Sequence, residues 1–173
     1  MEQQPQLTSE RLLLRAFTLD DAPRVQAIVS DKRIAEMTAN IPYPYPETGA
    51  IDWISTHEKR WSSRENVSFA ILLKSTDTII GAIGLAFKES NEGELGYWLG
   101  VDYWGKGYAT EAAMCINNYG LNALNFDKIN ARALSRNPAS GRVLLKSGFK
   151  HTGTTEGTCG DKFESLDYFE ISK

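Results

Sequence analysis

The spacing of hydrophobic positions in the first third of the chain predicts a strand, two helices and a long loop. Residues 11–17 form an apolar stretch typical of a strand. Residues 20–29 begin with two acidic residues and a proline and then place apolar side chains at helical spacing. Residues 41–46 contain three prolines, which predicts an extended loop because proline restricts both itself and its predecessor. A second amphipathic helix is predicted over residues 47–61.

From residue 67 the hydrophobic pattern becomes strand-like. Residues 67–73, 78–87 and 94–101 are separated by short polar turns, which predicts an antiparallel meander.

The second half of the chain alternates helices and strands. A helix is predicted from Ala109 to about Leu124, followed by a strand over residues 128–134. Residues 137–148 begin with an asparagine N-cap and a proline and end with a glycine, which predicts a short helix. Two final strands are predicted within residues 149–171. The order β α α β β β α β α β β indicates an α/β (α+β) fold with a mixed, mostly antiparallel sheet.

Length and composition favour one domain, which we place at residues 8–173. The 173 residues are 42% hydrophobic, enough for a sizeable core. A net charge of −3 provides no broad basic field, so a nucleic-acid partner is not expected. No apolar run approaches the roughly 20 residues that span a bilayer, and the N terminus lacks the pattern of a signal peptide.

The cysteines and histidines predict neither disulfides nor a metal site. Cys115 and Cys159 are far apart and outside any ligand motif, which is typical of free thiols in a reducing cytoplasm. His57 and His151 are the only histidines, so we expect no metal.

Residues 104–109 form a glycine-bearing turn between a predicted strand and a predicted helix. Backbone N–H groups at such a junction point outward at the positive end of the helix dipole, and glycines let an anion approach closely. The spacing matches neither of the two familiar nucleotide-binding glycine motifs. A phosphate-binding turn of another kind is indicated.

Three segments resemble the GNAT superfamily of acyl-CoA N-acyltransferases, in particular its Rim-type branch of ribosomal-protein N-terminal acetyltransferases. They are LTSERLLLRAFTLDDA early in the chain, ELGYWLGVDYWGKGYATEA in the middle and NPASGRVLLKSGF near the end. The family's pyrophosphate loop begins with glutamine or arginine, where this chain has Trp104. Gly107 and Ala109 match the small residues of that loop.

The resemblance implies an acetyl-CoA site between two splayed strands. Backbone groups near Leu99 and Val101 are expected to pair with the pantetheine amides, as an added strand would. Asn137 is expected beside the pantetheine arm as well as at the helix N-cap. The implied cofactor-binding residues are Leu99, Val101, Trp104, Gly105, Lys106, Gly107, Tyr108, Ala109, Thr110 and Asn137.

The resemblance also implies the catalytic groups. Glu94 is the candidate base or amine-binding group, and strand alternation places it on one face with Gly96 and Trp98. Many superfamily members use a tyrosine to protonate the thiolate, but that position is Leu144 here. Ser140, earlier in the same helix, is the candidate acid.

The expected acceptor is a protein N-terminal amine or a small amine, bound opposite the cofactor. Tyr43, Tyr45, Trp53 and Tyr97 are the candidate wall residues. A polyamine or aminoglycoside acceptor and a non-catalytic CoA-binding module remain alternatives, and the protein is expected to be a monomer or a homodimer.

Overall fold

An eight-stranded sheet forms the centre of the molecule, which a computed structural model describes over residues 2–173. The strands lie in the order β1-β2-β3-β4-β5-β6-β8-β7. Their bounds are β1 Leu7–Thr8, β2 Leu12–Arg15, β3 Asn66–Leu73, β4 Thr78–Lys88, β5 Glu92–Leu99, β6 Lys128–Leu134, β7 Lys150–Cys159 and β8 Lys162–Ser172. The predicted meander is therefore confirmed as β3-β4-β5, and the fold is the predicted mixed α/β class.

Residues 2–173 contain six α-helices. They are α1 Ala22–Val29, α2 Lys32–Met37, α3 Gly49–Ser55, α4 His57–Ser62, α5 Tyr108–Asn118 and α6 Pro138–Lys146. The single helix predicted over residues 47–61 is interrupted at Thr56, so that residues 49–55 form α3 and residues 57–62 form α4. The helix predicted from Ala109 to Leu124 is confirmed in extent, but its last part, Tyr119–Ala123, is a π-helical turn.

One parallel strand pair interrupts the antiparallel sheet. β5 and β6 run parallel and pair only from Glu92 with Lys128 to Leu95 with Ala131. Beyond Leu95 the two strands separate, while β6 continues to pair with β8 as far as Leu134. A gap therefore opens in the middle of the sheet.

Both faces of the sheet carry apolar clusters, which is why β3 reads as a nearly continuous hydrophobic run. On one face, Ala112, Ala113 and Ile116 of α5 are fully buried against the central strands, as their helical spacing predicts. On the other face, α1 and α3 cover Ala70, Leu72 and Ala82.

His57, at the start of α4, is buried without a hydrogen-bond partner for either ring nitrogen within residues 2–173. Its ring lies 4.4 Å from that of Trp53 and 5.4 Å from that of Phe17, measured between centroids. Burial, with a smaller contribution from Arg60, lowers the pKa of His57 from 6.5 to about 4.

We expect this histidine to make the fold acid-sensitive. The unfolded chain takes up a proton near pH 6.5 and the folded chain only near pH 4, so His57 lowers the free energy of unfolding as pH falls between those values. Between about pH 7 and about pH 4.5, the wild type should lose about 2 kcal/mol more stability than His57→Phe in urea titrations. His151→Gln, at a half-exposed position, is the control and should keep the wild-type slope. Parallel pH profiles for the wild type and His57→Phe would contradict this expectation.

Candidate active site

The gap beyond Leu95 turns backbone groups of β5 toward an open cleft. The N–H of Gly100 donates to the carbonyl of Ile80 in β4 at 2.8 Å. Because the C=O and N–H of one peptide point in opposite directions, the carbonyl of Leu99 points away from β4 and into the gap. The predicted splayed strand is therefore present.

Trp104 fills part of this gap, which the sequence did not predict. Its indole Nε1 donates to the carbonyl oxygen of Leu99 at 2.9 Å. This hydrogen bond takes one of the two acceptor positions of the Leu99 carbonyl, and the pairing of this strand with pantetheine stays a prediction. Val101, predicted at the end of the strand, lies instead in a 3-10 turn, and its carbonyl accepts from the Trp104 N–H.

The glycine turn leads directly into the N terminus of α5, as predicted. Gly105 and Gly107 both have positive φ, +72° and +82°, a conformation that side chains disfavour. The first turn of α5 thus presents its free N–H groups at the positive end of the helix dipole. This geometry suits a pyrophosphate.

Arg11, near the N terminus, contacts the glycine turn of residues 104–109. Its Nη1 donates to the carbonyl of Lys106 at 3.0 Å, its Nε donates to Glu111 at 3.0 Å, and the guanidinium lies 4.4 Å above the centre of the Tyr108 ring. Burial of Glu111 raises its pKa, but hydrogen bonds from Ser9 and Arg11 lower it by more, so the carboxylate is charged at neutral pH. Sequence reasoning missed this contact, because its partners are about 100 positions apart.

A cavity of about 490 Å³ runs along the turn, the gap and the start of α6. Of the predicted cofactor residues, Val101 and Lys106 do not line it, and the Lys106 ammonium instead donates to the carbonyl of Asp102. The predicted residues that line it are Leu99, Trp104, Gly105, Gly107, Tyr108, Ala109, Thr110 and Asn137. The glycine turn and the gap between the strands therefore open into one cavity.

A second cavity, of about 640 Å³, lies over β3, β4 and β5. Its floor is a row of small residues, because Ser68 pairs with Gly84 and Gly84 pairs with Gly96 across the strands. A Cβ added to Gly84 would lie 2.6 Å from the carbonyl oxygen of Val67, whereas one added to Gly96 meets nothing within 4 Å. The packing of neighbouring strands therefore requires glycine at position 84. No neighbouring atom requires glycine at position 96, and the absence of a side chain there leaves open space in the cavity.

The two cavities meet at Tyr97 and Ser140. The Tyr97 hydroxyl and the Ser140 hydroxyl are 2.7 Å apart, and both residues line both cavities. Burial raises the pKa of Tyr97 by more than the hydrogen bond with Ser140 lowers it, so the phenol keeps its proton at neutral pH.

Asn137 caps α6 as predicted, since its side chain accepts from the backbone N–H of Ser140. The cap fixes Ser140 in the first turn of the helix, at the junction of the cavities.

Glu94 lines the second cavity on the same strand face as Gly96 and Trp98, as alternation predicts. Its carboxylate lies 3.6 Å from the Lys88 ammonium and 3.9 Å from the Arg132 guanidinium. Two positively charged side chains, Lys88 and Arg132, thus lie near the one negative charge of Glu94.

The predicted acceptor wall is only partly present. Tyr45 and Trp53 line the second cavity, but Tyr43 is 55% exposed and lies outside it.

The hairpin of β7 and β8 closes over the second cavity at its tip. A Cβ at Gly160 would collide with the carbonyl of Ala39, so the tip rests directly on the segment after α2. Arg136 links β8 of the hairpin to α2 by donating to Glu164 at 2.5 Å and to the carbonyl of Glu36 at 2.6 Å.

Within residues 2–173 no helix is long and apolar enough to span a membrane. The same part of the chain holds no group of three or more His, Cys, Asp and Glu side chains placed to bind a metal ion.

A mixed sheet with one splayed parallel pair, beside a glycine turn at a helix N terminus, defines the acyl-CoA N-acyltransferase class. Residues 11–150 match the model of the acetyltransferase (GNAT) domain. The chain belongs to the GNAT acetyltransferase family and is an acetyl-CoA-dependent acyltransferase.

Individual relatives agree with this assignment. The chain is 32% identical over 168 residues to the uncharacterized N-acetyltransferase p20 of Bacillus licheniformis, covering 96% of this chain and 94% of p20. The ribosomal-protein-S5-alanine acetyltransferase of Vibrio fischeri shares the fold with a TM-score of 0.82 at 21% identity, over 98% and 97% of the two chains. The microcin C7 self-immunity acetyltransferase MccE, solved with acetyl-CoA and AMP, has a TM-score of 0.84 at 15% identity, over 95% and 94%. These two structural likenesses show the fold alone.

Proposed function

We propose that the protein transfers the acetyl group of acetyl-CoA to a primary amine by direct attack through a tetrahedral intermediate. The observation that carries the proposal is the meeting of two cavities at the Tyr97–Ser140 pair. A cofactor in the first cavity and an amine in the second would face each other there without a covalent enzyme intermediate.

Acetyl-CoA supplies the activated acyl group as a thioester. The backbone of Gly105 and Gly107 and the first turn of α5, with Ala109 and Thr110, would hold the pyrophosphate. The backbone of β5 beside the gap and Asn137 would hold the pantetheine arm. MccE, which was solved with acetyl-CoA, has a similar fold, which supports this placement.

Glu94 is our candidate for the group that binds the amine and takes its proton. A primary amine is mostly protonated at neutral pH, since a free α-amino group has a pKa of about 8 and a lysine about 10.4. The carboxylate lines the acceptor cavity, and Gly96 leaves space beside it.

Ser140 is our candidate for the donor to the CoA sulfur, with Tyr97 as its partner. If the Tyr97 hydroxyl donates to Ser140 Oγ, the serine proton is left to point into the cofactor cavity. The Ser140–Tyr97 pair would thereby supply the proton that other superfamily members take from a tyrosine at the position of Leu144.

For the acceptor we propose a protein N-terminal amine or a small amine, as in the Rim-type branch. The two cations beside Glu94, Lys88 and Arg132, argue against a polycationic acceptor such as a polyamine or an aminoglycoside. The same proposal includes a cytoplasmic location, a single domain over residues 8–173, and a monomeric or homodimeric state.

Substituting Glu94→Gln tests the base. We expect kcat/KM for the amine to fall by about 10²-fold near neutral pH, and less at high pH where the amine is already neutral. The KM for acetyl-CoA should not change.

Glu92→Gln is the matched control for Glu94→Gln. Glu92 lies two residues earlier on the same strand face, is paired with Lys128, and lines neither cavity. It should keep the parent rate. A Glu94→Gln rate equal to that of the parent across the pH range would show that Glu94 is not the base.

A further inference from the structure

Aromatic rings line the acceptor cavity beside its floor of small residues. Trp53 and Trp98 line the cavity with their ring centres 6.1 Å apart. Trp53 is held from behind by edge contacts with Phe17 and His57, whose ring centres lie 5.1 and 4.4 Å from its own. These contacts fix the indole before any ligand binds, so little ordering is needed on binding.

Tyr45 lines the same cavity. Its ring lies against Gly49, where a Cβ would be only 2.8 Å from a ring carbon. The three aromatic rings and the small residues Gly84 and Gly96 therefore line one and the same cavity. Such a space favours a flat apolar group, because aromatic rings gain most from face and edge contacts with other rings.

The charged side chains of this cavity do not favour a cationic acceptor. Among the described residues that line it, Arg60, Glu94 and Arg132 carry charge, so the positive charges outnumber the negative. The one carboxylate among them, Glu94, already lies 3.6 Å from the Lys88 ammonium. A polyamine would find no excess of carboxylates.

The guanidinium of Arg132 is available to an anion. Its contact with Glu94 is 3.9 Å long, beyond hydrogen-bond distance. Asn130, two residues earlier in β6, pairs with Glu94, and the parallel run places Arg132 across the gap from Gly96. Arg132 therefore lines the cavity across the gap from the open space at Gly96.

We propose that the acceptor is an aromatic primary amine that carries an anionic group close to the amine, as aromatic α-amino acids do. The inference rests on the proposed function. The ring lies against Trp53 and the glycine floor, the anionic group faces Arg132, and the amine faces the Tyr97–Ser140 junction.

The test compares kcat/KM for L-phenylalanine, phenethylamine, L-alanine and spermidine, with release of the CoA thiol as readout. The wild type should prefer phenylalanine to alanine and to spermidine by about tenfold or more. Arg132→Gln should lower the phenylalanine-to-phenethylamine ratio about tenfold, since it removes the partner of the carboxylate. Trp53→Leu should lower the phenylalanine-to-alanine ratio. A general loss of activity in a variant lowers kcat/KM for both substrates by the same factor, so it leaves each ratio unchanged.

Lys128→Gln is the matched control for Arg132→Gln, since Lys128 lies on the same strand face but outside both cavities. It should leave all ratios unchanged. Preference for spermidine, or ratios that Arg132→Gln does not move, would overturn the inference. Turnover of peptides with a free N terminus but of none of the small amines would overturn it while leaving the proposed function intact. Turnover of no amine at all would overturn the proposed function itself.

Discussion

Replacing Gly96 by valine should reduce acetyl transfer about 100-fold or more and leave the affinity for acetyl-CoA unchanged. The added side chain would occupy the floor of the acceptor cavity, where a Cβ meets nothing within 4 Å. Displacing a reacting group by about an ångström can cost about 10²-fold in rate. The strand itself should tolerate the change, because β-branched residues suit extended backbone. Steady-state rates and calorimetric titration with CoA measure the two effects separately.

Gly153→Val is the control for Gly96→Val. Gly153 lies on β7, a Cβ there also meets nothing within 4 Å, and the residue lines neither cavity. This variant should keep wild-type activity. Loss of CoA affinity in Gly96→Val, or unchanged turnover, would contradict the assignment of the second cavity to the acceptor.

Removing the Ser140 hydroxyl should lower kcat by about 10²-fold with little change in the KM for acetyl-CoA. Tyr97→Phe, which removes only the phenolic oxygen, should lower kcat in the same way. Because the two oxygens are 2.7 Å apart and act as a unit, the double variant should be little worse than Ser140→Ala.

Ser135→Ala is the control for the serine variant. Ser135 precedes α6, bonds to Ser165 and Asp167, and lines neither cavity. Its substitution should leave kcat unchanged. If the Tyr97 and Ser140 effects multiply in the double variant, the two hydroxyls act independently and the paired role is wrong.

The parts of the fold with local signals were predictable from the sequence. The Asn137 cap and the positive-φ Gly148 mark both ends of α6 within a few residues of chain. The glycine turn before α5 was also predictable from the local sequence, because backbone with positive φ favours glycine. The interruption between α3 and α4 at Thr56 was not predicted, because the apolar spacing continues across Thr56 and no proline or glycine marks the break.

The contacts that make the candidate site were less predictable. Tyr97 and Ser140 are 43 positions apart, and their meeting depends on the splay of β5 from β6. The hydrogen bond from the Trp104 indole to Leu99 depends on the same splay. Strand alternation placed Glu94 and Gly96 on one face, but only the packing of neighbouring strands shows that Gly96 is free of contacts.

The most direct measurement of the central claim follows both products of one reaction with the purified wild-type protein. Acetyl-CoA is incubated with the amine panel and the protein, while thiol release and the mass of the amine are recorded together. We expect one CoA thiol released for each amine that gains an acetyl group, with no acetyl group found on the protein. CoA binding without acetylation of any amine or peptide would contradict the account, and an acetylated protein intermediate would contradict direct transfer.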